Sequence, residues 1–123
     1  MDKTSLILEK NDNHSVISVL DSQKIKLQNN QLISTPCFIN AKKIITDISF
    51  DFQSMSIEKL NSLIDEPKTI LLIGLSKLLF IDEKLKQQLY QKNIAVEVMQ
   101  TKHACHGFNI LLSEMRPVGL LLL

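Results

Sequence analysis

Apolar and polar residues alternate through the first half of this chain and recur at helical spacing through the second. Between residues 15 and 52, β-branched residues separated by Asn-rich joints predict short strands at 15–20, 24–27, 31–35 and 43–50. Asn29 and Asn30 mark the turn between the second and third of these, because Asn tolerates left-handed backbone. In the fourth, Ile44, Thr46, Ile48 and Phe50 oppose Ile45, Asp47, Ser49 and Asp51. One face is apolar apart from its Thr and the other mostly polar, the pattern of a half-covered antiparallel strand.

The period then changes. Ser56 is placed to cap a helix that carries Ile57, Leu60 and Ile64 on one face and closes at Asp65, Glu66 and Pro67. Residues 69–73 are apolar on both faces and predict a central strand. Asp82 is placed to cap a helix over 83–92, with Leu85 and Leu89 inward and Asn93 at the left-handed position past its end. A strand at 94–98 follows, then a helix from Thr101, its expected cap, to about Met115. Pro117 stops that helix, and 118–123 make a last buried strand. A β-α-β-α-β order makes right-handed crossovers and parallel strands the default. The first four strands do not alternate with helices, so the expected class is α/β with a mixed sheet.

Length and composition narrow this picture. The 123 residues suffice for one domain with its own core, and 45% hydrophobic with 22% charged residues is ordinary for a globular protein. Fourteen basic against thirteen acidic residues leave a formal charge of +1, which supplies no footprint for nucleic acid. The opening MDKTSLILEK does not read as a secretory signal, and 117–123 has about a third of the length of a membrane helix. Cys37 and Cys105 are too few for a disulfide framework and suit a reducing compartment. The expectation is a soluble, cytoplasmic protein with no integral membrane segment and no nucleic-acid partner.

In an open parallel sheet, ligands favour the crevice beyond the carboxyl ends of the strands. That edge brings residues 74–77 near 99–103, where the last helix opens with free N–H groups. Gly74, Ser76, Lys77, Thr101, Lys102 and His103 form the candidate anion cleft. The same residues also read without a ligand, with Thr101 capping the helix and Gly74 permitting a tight turn. At 100° per residue, Ala104, Cys105, Phe108, Leu111, Leu112 and Met115 fall in an arc of about 120°, a core stripe. Asn109 lies one turn beyond Cys105, on its rim, and Ile110 is an apolar residue on the polar side. His103 and His106 share a helix face while Cys105 points away, so the three do not converge on a metal ion, and no cofactor is expected. Glu97 interrupts an apolar strand beside the cleft, either on a solvated face or paired with a cation such as Arg116.

Glu97, Met99, Thr101, Ala104, Cys105, Phe108, Asn109, Glu114 and Arg116 follow the pattern Glu-x-Met-x-Thr-x-x-Ala-Cys, then an aromatic-Asn pair, then Glu-x-Arg. In these residues the chain resembles a domain family of unknown biochemical function. Its members include the mitochondrial NADH–ubiquinone oxidoreductase (complex I) assembly factor three and the adipogenesis-associated protein with the same domain. The resemblance implies a single domain over 1–123, a three-layer arrangement around a mixed sheet. It departs where the family commonly has Arg-Thr-Tyr after the Cys, here His106, Gly107 and Phe108, and where a Gly-Thr-Gly turn appears as Gly74, Leu75 and Ser76. It supplies motif positions and no chemistry. The expected function is a non-catalytic protein-interaction or assembly role, with a protein partner and the homo-oligomeric state left open. The alternative is a small-molecule, anion-binding protein or enzyme using 74–77 and 101–103, with Glu97, Cys105 and Asn109 nearby.

Overall fold

A computed structural model of the chain describes residues 14–21, 23–77 and 79–123; the opening run, read above as not a secretory signal, lies outside the described residues. A three-stranded antiparallel meander comes first: β1 (Val16–Asp21), β2 (Lys24–Leu27) and β3 (Leu32–Ser34). Its second turn falls at the Asn pair. Asn30 takes φ 71° and donates its N–H to Leu27 O over 2.9 Å, while Asn29 Oδ1 accepts from the Gln31 N–H at 3.0 Å.

The remaining strands, β4 (Cys37–Ile39), β5 (Ile44–Ile45), β6 (Ile70–Leu75), β7 (Ala95–Gln100) and β8 (Val118–Leu122), form one mixed sheet. Its order is β5-β4-β8-β6-β7, with β6 parallel to both β7 and β8 and β4 antiparallel to β8 and β5. Among the described residues three helices complete the fold: α1 (Ile57–Asn61), α2 (Glu83–Gln91) and α3 (Thr101–Ser113).

The period-2 alternation of β6 sorts the core into two halves. Leu71, Ile73 and Leu75 pack with Leu60, Leu85 and Leu89 of α1 and α2. Leu72 faces the other way, toward Phe108 and Leu112 of α3 and Ile25, Leu27 and Ile33 of the meander. The fold is therefore a three-layer, single-domain α/β arrangement around a mixed sheet. Because both faces of β6 and β8 are covered, their sequences are apolar without alternation.

Local signals explain most element ends. Ser56 Oγ accepts the Lys59 N–H at 3.2 Å, capping α1. Beyond α2, Asn93 sits at φ 63°, with its N–H donating to Tyr90 O and the Ile94 N–H to Leu89 O, both at 2.9 Å. The same two-bond closure ends α3, where Met115 occupies the left-handed position at φ 60°.

Five expectations need correction. The first is the length of α1, which ends at Asn61, short of Ile64 and of the stop at 65–67. Cys37, Phe38 and Ile39 form an unforeseen strand, too short and too uniformly buried to show a period. The alternation over 43–50 yields only Ile44–Ile45 as strand, because β5 pairs with β4 alone and β4 offers two partners, Phe38 and Ile39. Ile48 and Phe50 keep their apolar role by packing, unpaired, on the α1–α2 core. Gln100, not Thr101, is the cap residue of α3, and neither its side chain nor that of Asp82 on α2 makes a capping hydrogen bond. Met115 is no core residue: α3 ends at Ser113, and the Met115 side chain is 64% exposed. Among the described residues no helix is long and apolar enough to cross a membrane.

Candidate functional site

Strands β6 and β7 are parallel neighbours whose chains leave toward opposite faces, one into α2 and the other into α3. Their paired ends, Leu75 and Gln100, are thus a topological switch point, flanked by Ser76 and Lys77 on one side and Thr101, Lys102 and His103 on the other.

Gly74 sits one residue before that end, inside β6 between Met99 and Leu122. Its φ is not in the left-handed region, so it is not a turn residue as one sequence reading had it. Its lack of a side chain permits a close approach. A methyl on its Cα would lie 2.6 Å from Leu122 Cδ2, 3.0 Å from Ala104 Cβ and 3.2 Å from Thr101 Cα. The first turn of α3 therefore rests directly on the β6 backbone. Gly74 and Thr101 meet, but as a packed contact. Ser76, Lys77, Lys102 and His103, next to these two in sequence, are exposed.

The other candidate residues go to different places. Ser76 lines a cleft of about 420 Å³ with Gln23, Pro36, Phe50, Phe52 and Leu123. Lys102, Cys105, His106 and Asn109 border a shallow groove of about 360 Å³ between α3 and Val16, Ile17, Ser18 and Val19 of β1. Glu97 is exposed on β7 and borders a groove of about 530 Å³ with Glu83, Lys86 and Tyr90 of α2. It is not the partner of Arg116, whose guanidinium lies 3.9 Å from Glu114.

Asn109 makes a contact that sequence reasoning missed. Its Nδ2 donates to Val16 O and its Oδ1 accepts the Val16 N–H, both at 2.8 Å. The amide imitates a strand neighbour and fastens the outer edge of β1 to α3. Only the carboxamide can give and take at once here, so the rim position of Asn109 beside Cys105 was the available signal.

Cys105 is buried, and burial pushes its thiol up to about 11. Cys37 is pushed up to about 12, by burial first and then by Cys105 nearby. A thiol so protonated at neutral pH is a poor nucleophile. Among the described residues no three His, Cys, Asp or Glu side chains are grouped to hold a metal ion. Taken together, the motif of β7 and α3 supplies a packed contact, a strand clasp and core side chains.

The sequence model of the family described as protein of unknown function (DUF498/DUF598) matches residues 17–123. No curated protein matches the chain. A Xanthomonas campestris protein solved by NMR has a TM-score of 0.74 at 19% identity, over 93% of this chain and 87% of its own. A Bordetella pertussis protein described as a Mth938-like domain has a TM-score of 0.72 at 18% identity, over 100% of this chain and 89% of its own. A Bartonella henselae protein described as an outer membrane protein has a TM-score of 0.67 at 22% identity, over 93% and 97%. At such identities the likeness is one of fold.

Proposed function

We propose that this chain, which belongs to the DUF498/DUF598 family of proteins of unknown function, is a non-catalytic protein-interaction or assembly domain. The observation that carries the reading is the employment of its motif. Asn109 is held by Val16, Ala104 and Phe108 are buried, and both thiols are buried and protonated. Meanwhile large apolar side chains stand in solvent, among them Tyr90 at 74% exposure and Ile110 at 44%. Tyr90 borders the groove beside β7, and exposed aromatic side chains are frequent anchors of interfaces. The resemblance to the complex I assembly factor three points the same way, toward a domain of residues 1–123 that binds a protein; the two unpaired cysteines favour a reducing, cytoplasmic setting for it. Affinity capture of the full chain from native extract tests this. A stoichiometric protein partner supports the reading, and recovery of none contradicts it.

A second reading rests on the switch point between β6 and β7. The N-cap residue Gln100 makes no side-chain bond to the first N–H groups of α3, and Lys102 and His103 follow, exposed, in that first turn. Thermal-shift titration with phosphate, carboxylates and nucleotides separates the two. Stabilisation that Lys102→Ala removes favours the anion site, and no stabilisation by any of them rejects it.

A further inference from the structure

We propose that the free edge of β7 is the docking site of the interaction domain, and that it takes an extended segment of a partner protein with a basic residue opposite Glu97. The inference rests on the interaction reading above and names where and how the partner binds.

Sheet edges in this fold are unequally guarded. The outer edge of β1 is held at Val16 by Asn109, while β3 has three residues and β5 two. β7 is six residues long, as is β1, and among the described residues it pairs only with β6. It has neither the lysine nor the proline that commonly blunts an edge. The Ala95 N–H donates to Thr69 O at 3.1 Å, toward the β6 side. Strand alternation then turns the N–H and C=O groups of Val96 and Val98 outward, where an added strand would bond to them.

The surroundings define what that strand carries. Val96 and Val98 pack on the α2 side, where the groove of about 530 Å³ runs beside Tyr90. Apolar residues at alternate positions of the incoming segment fit there. The intervening residue lies opposite Glu97 on the other face, at the spacing where opposite charges attract and like charges repel. That excludes a second copy in its simplest form. In the symmetric antiparallel register that uses Val96 and Val98 of both chains, Glu97 would face its own copy.

The test is fluorescence anisotropy with two labelled seven-residue peptides, one alternating valine and lysine, the other valine and glutamate. The formal charge of +1 gives the chain no general attraction for the lysine peptide. The lysine peptide should bind about fivefold tighter than the glutamate peptide, and Glu97→Lys should reverse the order. Val98→Pro removes an outward N–H and should abolish binding of both. If that variant unfolds, amide shift mapping on the unsubstituted chain replaces it, with peptide-induced changes expected at Val96 and Val98. Equal affinities, no binding, or changes confined to other strands would overturn the proposal. So would a dimer of the free chain that Val98→Pro dissociates, which assigns the edge to a second copy. A captured cellular partner that Glu97→Lys leaves bound unchanged refutes this edge while the interaction reading stands.

Discussion

Replacing Gly74 by Ala tests whether α3 is seated on β6 as tightly as the distances say. The added methyl meets Leu122 Cδ2 at 2.6 Å, and that side-chain end can rotate away. It also meets Ala104 Cβ at 3.0 Å and Thr101 Cα at 3.2 Å, and neither of these can rotate. Carbon–carbon attraction is best at about 3.5–4.0 Å, so α3 must lift by several tenths of an ångström. Lifting it loosens Phe108 and Cys105 against the sheet. Overpacking of this kind costs about 1–3 kcal/mol, offset by about 0.4–1 kcal/mol because Ala has a less free unfolded state. The net loss is about 1–2 kcal/mol, which lowers Tm by about 4–10 °C in a domain of this size. Gly107→Ala is the control. It lies inside α3, its methyl would meet only Leu72 Cδ1 at 3.3 Å, and Ala is the better helix former by about 1 kcal/mol. The two variants should therefore move Tm in opposite directions in thermal melts followed by circular dichroism. Equal or greater stability of Gly74→Ala would refute the close seating of α3.

Asn109→Ala should cost about 1–3 kcal/mol in urea unfolding, because it strips both hydrogen bonds from Val16. Met115→Gly should gain about 0.5–1 kcal/mol by relieving a left-handed residue that buries little, measured in the same way. The two thiols keep their protons in the folded state above the pH at which unfolded cysteine ionises. Stability should therefore be intact below about pH 9, then fall as pH rises toward about 11 for Cys105 and about 12 for Cys37. A Cys37→Ala/Cys105→Ala double variant should show a shallower alkaline loss by denaturant titration. At neutral pH a disulfide reagent should label the native thiols only as fast as the chain unfolds.

The helical half of this fold is legible because its signals are local. Ser56 and Asn93 act within one turn of their own position, and the apolar spacing of Leu85 and Leu89 records the core face directly. β4 is illegible because most of its strand pairing is with Leu120, Leu121 and Leu122, far along the chain, and its near neighbour β5 offers only Ile44 and Ile45. The over-long strand at 43–50 is the same lesson reversed. Its alternation reports real burial of Ile48 and Phe50, but strand length is set by the two-residue pairing on β4. Of the candidate residues, Gly74 and Thr101 do come together as the β-α-β order implies, while Ser76, Glu97 and Asn109 go to three different grooves. Sequence does not give the roles. That Gly74 is a seat for a helix, and Asn109 a surrogate strand, depends on which elements stack across the sheet, and no residue spacing encodes that. The edge of β7 was hidden for a similar reason, since an unpaired strand is defined by its missing neighbour.

Native-state amide hydrogen exchange puts the scaffold role of the motif to the most direct test. The Val16 N–H should be as slow as the amides of Leu72 and Phe108, and Asn109→Ala should release Val16 selectively while those two shift only with global stability. A Val16 amide that exchanges at the rate of open chain, or one indifferent to Asn109→Ala, would contradict it and return Asn109 to the search for a ligand.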